Sequence, residues 1–261
     1  MTLFLHELKR NKLSLIIWSA AISFMLGICV IIYPEMSTQM GEISDMFANM
    51  GAFSDAFGMD QLNFGEFMGY FAIECGNTLG LGGSIFAAIL GISALAKEEQ
   101  NHTAEFLLSH PISRTKVLTS KLLSVICQIL IMNLAVMATT LLCTFAIGES
   151  ADTRKMLLLF LANILMQIEI AAITLGISAF LRRGGLGIGI GVSFGLYFIN
   201  ILSNLSKDVE FLKYITPFGY TDGSNIVSNN AIEVKYLAVG AVFTLIGIAL
   251  AYKKYPSKDI A

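Results

Sequence analysis

Charged residues are scarce in this sequence. Asp, Glu, Lys and Arg account for 14% of the 261 residues, whereas they make up about a quarter of a typical soluble domain. Hydrophobic residues account for 55%, so the composition predicts a membrane protein. The formal net charge is -2 and no run is rich in Lys and Arg, so the electrostatic footprint of a nucleic-acid-binding protein is missing.

Cysteine is also rare, and its positions do not suggest a disulfide framework. All four cysteines lie inside apolar runs, where a thiol most often acts as a small hydrophobic side chain. They are Cys29, Cys75, Cys127 and Cys143. We therefore expect no disulfide bonds.

Complete metal-binding and phosphate-binding motifs are missing. Glu99 and His102 have the E-x-x-H spacing, but a di-iron bundle needs a second copy and further carboxylates. His6 and His110 complete no metal-site spacing, and H-E-x-x-H does not occur. The glycine-rich stretch 184–191 is not followed by Lys-Ser/Thr, so it is not a phosphate loop. We expect no metal and no cofactor in this chain.

Long uncharged or nearly uncharged runs dominate the rest. A helix of about 20 apolar residues crosses the hydrocarbon layer of a membrane, which is about 30 Å thick. The sequence predicts six such spans within a single domain covering residues 1–261. They are residues 13–33, 75–96, 122–148, 156–181, 184–206 and 236–252.

Lys and Arg are distributed unequally between alternate connections. With the amino terminus inside, the inner segments carry twelve of these residues and the outer segments carry five. The cytoplasmic side carries the excess in membrane proteins, so both termini and segment 97–121 are expected to be cytoplasmic. Residues 2–12 are amphipathic and predict an elbow helix at the membrane interface.

Two longer connections lie on the predicted outer side. Residues 34–74 are acidic but rich in Met and Phe, which predicts one or two short amphipathic helices at the outer interface. The expected breaks are at Gly51, Gly58 and Gly65. Residues 207–235 form the second connection, with a turn at 217–219, and are expected to pack beside the first.

Polar residues inside the spans are candidates for a substrate path or a protonation site. Glu169 is the one acidic residue well inside a span, beside Gln167 and near Asn163. An ionisable group at that depth is costly and usually faces protein or water. A protonated acid that hydrogen-bonds between helices is the alternative. Glu74 and Asn77 are weaker candidates, because Glu74 also fits a solvated or capping carboxylate at the outer end of its span.

Small residues recur every four positions in two spans. This spacing lets helix backbones approach closely. In span two the residues are Gly76 with Gly80, and Gly83 with Ala87 and Gly91. In span five they are Gly187, Gly191 and Gly195. The pattern predicts helix packing but leaves open whether the contacts lie within or between chains.

The polar segment 97–121 separates spans two and three. Residues 97–108 are compatible with a helix, His110-Pro111 should end it, and Ser113-Arg114 should begin the helix of span three. The apolar residues 106–108 stand among acidic residues, which favours docking onto a partner. A solvated hairpin is the alternative.

This segment resembles the permease subunits of bacterial ABC-2 type transporters. Residues 98–121 match the family pattern E-E-x-x-G-T-x-E-x-L-L-S-x-P-[IV]-S-R followed by a Lys, except that His102 stands where the family commonly has Gly. The resemblance extends over most of the chain. It implies an all-α membrane protein with six transmembrane helices, an N-terminal elbow helix, a cytoplasmic coupling helix between spans two and three, and short outer interfacial helices.

The resemblance also implies that transport and ATP hydrolysis belong to separate subunits. ATP and Mg²⁺ would bind a separate ABC ATPase subunit, and this chain lacks the G-x-x-x-x-G-K-[ST] motif. Two permease chains, identical or different, would form the transporter in the bacterial cell membrane. The implied coupling residues are Glu98, Glu99, Thr103, Glu105, Leu107, Leu108 and Arg114.

We expect export of a hydrophobic or amphipathic substrate, such as a drug, an antimicrobial peptide or a lipid-like molecule. The other function considered is a membrane-embedded binding or sensory protein that does not transport and docks a cytoplasmic partner through segment 97–121.

Overall fold

A computed structural model describes residues 2–48, 66–100, 112–181 and 184–258. Every regular element in these ranges is helical, in agreement with the predicted all-α class. The α-helices are α1 (Thr2–Ala48), α2 (Phe67–Glu74), α3 (Gly82–Gln100), α4 (Arg114–Ile147), α5 (Thr153–Ser178), α6 (Leu186–Leu205), α7 (Gly223–Asn229) and α8 (Val234–Lys254). A π-helical segment, Cys75–Leu81, joins α2 to α3, and two 3₁₀-helices, Lys207–Tyr214 and Pro217–Thr221, precede α7.

Six helical stretches in the described part of the chain are long and apolar enough to cross a membrane, which confirms the predicted number. They are Leu3–Ser37, Phe67–Lys97, Arg114–Ile147, Thr153–Ser178, Leu186–Leu205 and Val234–Lys254. The second begins at Phe67, earlier than the predicted residue 75, because α2 and the π-helical segment continue into α3.

The amino-terminal elbow is not a separate helix in the structure. Residues 2–12 are the first turns of α1, which runs without interruption from Thr2 to Ala48. Neither Gly nor Pro occurs in residues 2–12, so no backbone feature ends the helix before the span. The 47 residues correspond to a length of about 70 Å, well beyond the hydrocarbon layer.

The predicted outer helices are only partly described. Residues 34–48 continue α1, with Pro34 inside the helix, instead of forming a separate short helix. Residues 49–65, including the glycines expected to be breaks, lie outside the described residues. The second outer connection packs against α2, which was predicted to belong to the first connection and forms the beginning of the second span; a Cβ at Gly223 would lie 3.0 Å from the Ala72 carbonyl oxygen.

Helix α5 lies at the centre of the bundle. It packs against α3 on one side and α8 on the other, while α1 pairs with α4 and α6 packs against α3. Small residues permit the close approaches. A Cβ at Gly91 would overlap the Ala171 carbonyl oxygen of α5, and a Cβ at Gly176 would lie 2.7 Å from the Gly247 carbonyl oxygen of α8.

The two predicted glycine stripes have different environments. In span two, Gly83 and Gly91 contact α5, so that stripe mediates packing within the chain. In span five, a Cβ at Gly187, Gly191 or Gly195 would meet nothing within 4 Å. The predicted packing through those three glycines is therefore not formed within this chain, because α6 turns their face away from its neighbours.

Candidate functional site

Three of the polar residues predicted to be functional lie on α5. Asn163, Gln167 and Glu169 are all buried, with exposed fractions of at most 2%. Asn163 and Gln167 are four residues apart and share one face of the helix, whereas Glu169 is rotated by about 200° from Gln167. The structure therefore brings the first two residues together and places Glu169 on the other side of α5.

Gln167 joins three elements through its side-chain amide. Its Oε1 accepts a hydrogen bond of 2.6 Å from Asn133 Nδ2 on α4, and its Nε2 donates to the Leu79 carbonyl oxygen at 3.4 Å. Leu79 lies in the π-helical segment, and such segments are rare and often occur at functional sites. Gly83 provides the space in which the Gln167 amide lies.

Asn163 continues this polar layer toward the start of α5. Its Nδ2 donates to the Leu159 carbonyl oxygen at 2.9 Å and to Cys75 Sγ at 3.8 Å. The Oδ1 atoms of Asn163 and Asn133 are buried and have no hydrogen-bond partner among the described residues. Buried acceptors without partners are costly, so this layer has capacity to bind a hydrogen-bond donor.

Glu169 is held between the outer connection and α8. Its Oε2 accepts a hydrogen bond of 2.8 Å from Tyr220 OH, and the missing side chain of Gly240 leaves room for the carboxyl group. Burial raises the pKa of Tyr220 well above its usual value, so the phenol remains protonated and serves as the donor. The roles of Glu169 as a protonation site or as a protonated acid between helices both stay predictions.

Glu74 and Asn77 have different neighbours near the outer side. Glu74 Oε2 accepts a hydrogen bond from Cys29 Sγ at 3.4 Å. Asn77 Oδ1 accepts one from Tyr197 OH at 3.4 Å and lines a cavity of about 70 Å³ that Asn200 also lines. The two residues therefore do not form a common site.

At the predicted cytoplasmic end, Arg114 binds the carboxyl-terminal segment of its own chain. Its guanidinium donates to the carbonyl oxygens of Pro256 at 3.0 Å and Lys258 at 2.6 Å. The Lys258 ammonium in turn donates to the Leu181 carbonyl oxygen. As predicted, Ser113 precedes the helix of span three, and its hydroxyl accepts a hydrogen bond from the Lys116 backbone N–H.

The other predicted coupling residues cannot be placed in the same way. Helix α3 contains Glu98 and Glu99, but their side chains lie outside the described residues. Thr103, Glu105, Leu107 and Leu108 also lie outside them. Their assignment remains a prediction from the sequence pattern.

Several contacts were missed by sequence reasoning. The Glu7 carboxylate is 3.0 Å from the Lys121 ammonium, and both side chains are at most 5% exposed. No local sequence pattern indicates this buried ion pair, because 114 positions separate the two residues. The same applies to the Tyr220–Glu169 pair, which is 51 positions apart.

Ser193 lies in a motif that is typical of hydrolase nucleophiles. Residues 191–195 have the spacing G-x-S-x-G, but Ser193 lies within α6 and its hydroxyl forms a 2.7 Å hydrogen bond with the Ser84 hydroxyl. A nucleophile elbow requires a turn between a strand and a helix. Ser193 therefore serves as a polar contact between α3 and α6.

An apolar cavity lies between α5, α6 and α8. Its volume is about 530 Å³, and its walls include Phe180, Leu196, Phe243 and Leu250. Among the described residues, no group of three or more His, Cys, Asp or Glu could hold a metal ion. The four cysteines are free thiols.

The six apolar helices define a multi-pass membrane protein. The family description "ABC-2 family transporter protein" matches residues 1–260, so this chain belongs to that family and the resemblance seen in the sequence is confirmed. A comparison with curated proteins finds no match.

Proposed function

We propose that this chain is the permease subunit of an ATP-driven exporter and that a separate ABC ATPase chain supplies the energy. The observation that carries the proposal is family membership over residues 1–260, together with six helices able to span a membrane. The sequence has no phosphate-loop motif of its own. The ATPase would therefore carry the ATP and Mg²⁺.

The ATPase is proposed to act through the connection between α3 and α4. Glu98, Glu99, Thr103, Glu105, Leu107 and Leu108 would contact the ATPase at the cytoplasmic surface. Arg114 stands at the beginning of α4 and is tied to the carboxyl-terminal segment, which Lys258 connects to the end of span four. This arrangement supports transmission of a movement of α4 to α5 and α8.

The apolar cavity in the membrane-spanning region favours a hydrophobic or amphipathic substrate. The cavity between α5, α6 and α8 is almost entirely apolar, which suits a drug, a lipid-like molecule or an apolar part of an antimicrobial peptide. Asn163, Gln167 and Glu169 remain proposed contacts of the substrate path, and Glu169 is also a proposed protonation site. Asn77 and Glu74 would act nearer to the outer side.

A second permease chain, identical or different, is proposed to pack on α6. The face formed by Gly187, Gly191 and Gly195 is open in this chain, and small residues at this spacing allow a neighbouring helix to approach closely. The assembled transporter would lie in the bacterial cell membrane with both termini in the cytoplasm.

Co-purification with a co-expressed ABC ATPase tests the coupling. We expect Glu105→Arg and Leu108→Asp to reduce ATPase association or to remove the stimulation of ATP hydrolysis by substrate. Glu210→Arg is the matched control, because it makes the same charge reversal at an exposed position on the proposed outer side. Unchanged association and stimulation in both coupling variants would contradict the proposal. An ATPase that binds without substrate-dependent hydrolysis or transport would instead favour a sensory protein.

A further inference from the structure

A polar cavity lies at the end of the bundle that carries the amino terminus. It has a volume of about 280 Å³ and lies between α1, α3, α4 and the beginning of α6. Its charged lining residues are Glu7, Arg10, Lys97 and Lys121. Glu7 forms ion pairs with both Arg10 and Lys121, and three cations against this one carboxylate leave the lining with a net positive charge. The cavity therefore favours an anionic ligand.

Gln128 adds an unsatisfied acceptor to this lining. Its Nε2 donates to the carbonyl oxygen and the hydroxyl of Ser124, both at 3.1 Å. Its Oε1 is buried and has no hydrogen-bond partner among the described residues, and the whole residue is 0% exposed. A buried acceptor of this kind favours a ligand that also donates a hydrogen bond, such as one with a hydroxyl group.

The order of residues along the helices gives the cavity a direction. Gln128 lies seven residues after Lys121 on α4, which is a rise of about 10 Å away from the charged end. On α3, the lining residues Ile89 and Ile92 lie on the membrane side of Lys97. The lining thus changes from cationic at the end of the bundle to hydrogen-bonding and apolar further inside.

We propose that this cavity binds a single-chain phosphate-ester lipid. Its phosphate would lie near Lys97 and Arg10, its free glycerol hydroxyl would donate to Gln128 Oε1, and its acyl chain would follow Ile89 and Ile92. Basic pockets between membrane helices on the cytoplasmic side bind phosphate headgroups of lipids, and Arg and Lys form charge-assisted hydrogen bonds with phosphate. A diacyl phosphate lipid lacks the hydroxyl and should bind more weakly.

Lipid binding by this cavity depends on the membrane fold and not on ATPase coupling. Binding is therefore measured on the purified full-length permease in detergent, without the ATPase and without nucleotide. The probes are oleoyl lysophosphatidic acid, dioleoyl phosphatidic acid, glycerol 3-phosphate and inorganic phosphate, with bound lipid counted by native mass spectrometry. A permease that binds the lipid but fails to couple to an ATPase would contradict only the proposed function.

Lys97→Gln tests the phosphate contact. We expect about fivefold weaker binding of lysophosphatidic acid, which corresponds to one Lys near an anionic lipid surface. Lys253→Gln is the matched control, since Lys253 is exposed and outside the cavity lining, and it should leave binding unchanged. Equal effects of the two substitutions would overturn the proposal, because any surface lysine would then account for the attraction.

Gln128→Leu tests the hydroxyl contact independently. It should remove the preference for lysophosphatidic acid over phosphatidic acid while retaining the effect of Lys97. The absence of that preference in the native protein would overturn the proposal. So would inorganic phosphate or glycerol 3-phosphate that binds as tightly as the lipid, because the ligand would then be a soluble phosphate.

Discussion

The contact between Tyr220 and Glu169 provides the sharpest test of the proposed site. Tyr220→Phe removes one hydroxyl and with it the 2.8 Å hydrogen bond to Glu169 Oε2, while the aromatic ring remains in place. Both residues are 2% exposed, so water cannot easily replace the lost donor. The substitution therefore changes one interaction and leaves the packing of the outer connection nearly intact.

The size of the effect depends on the charge of Glu169. Hydrogen bonds between membrane helices contribute about 0.6 kcal/mol on average and at most about 1.7 kcal/mol. A hydrogen bond to a charged group contributes about 1.5–3 kcal/mol. A loss of about 1 kcal/mol would indicate a protonated acid that connects helices, whereas a loss near 3 kcal/mol would indicate a buried carboxylate.

Thermal unfolding of the purified chain in detergent measures this loss, and a double-mutant cycle with Glu169→Leu isolates the pair, because Leu cannot accept the hydrogen bond. Tyr214→Phe is the matched control, because Tyr214 lies in the preceding 3₁₀-helix and is 43% exposed. We expect Tyr220→Phe to be clearly less stable than the control. Equal stability of the two variants, or a coupling free energy of zero in the cycle, would refute the interpretation of Glu169 as an interhelical contact.

Three further predictions concern protonation, helix packing and coupling. If Glu169 is the protonation site, Glu169→Gln should flatten the pH dependence of transport in proteoliposomes, and an unchanged pH profile would remove that role. Gly91→Val should destabilise the chain by about 1–3 kcal/mol through overpacking, because its side chain would overlap α5. The site of Gly191 is open, so Gly191→Val should leave the unfolding of the single chain unchanged. It should instead weaken the pairing of permease chains, measured by cross-linking. Arg114→Gln should lower stability by about 1 kcal/mol, since it removes hydrogen bonds to the carboxyl-terminal segment. It should also reduce substrate-stimulated ATP hydrolysis while ATPase association is retained. Lys116→Gln, at an exposed position, is the control, and equal hydrolysis in the two variants would contradict the role of Arg114.

The membrane class and the number of spans could be predicted because both depend on local composition. A run of about 20 apolar residues has few stable environments other than a bilayer, so the six spans are visible without tertiary information. The elbow at residues 2–12 was predicted from the same local pattern and is not separate in the structure. Amphipathicity indicates where a helix lies but does not end it, and residues 2–12 contain no helix breaker.

The arrangement of the polar residues was much less predictable. Gln167 and Glu169 are two positions apart in the sequence. Because each residue of a helix is rotated by about 100° from the one before it, their side chains lie on different sides of α5. Their partners, Asn133 and Tyr220, belong to distant segments. The glycine spacing in spans two and five is similar, but Gly80, Gly83 and Gly91 of span two meet α5, whereas the three glycines of span five meet no other helix of this chain.

The sequence by itself therefore determined that this is a membrane protein, that it is helical and which family it belongs to. Hydropathy and the motif at residues 98–121 are properties of continuous segments, so they can be recognised without tertiary structure. Tertiary structure alone decided which buried polar groups meet. The Gln167 amide joins α4 to the π-helical segment, Glu169 joins Tyr220, and Arg114 joins the carboxyl-terminal segment. The physical reason is that each contact depends on how helices from distant parts of the chain pack and rotate against one another, which no local pattern specifies.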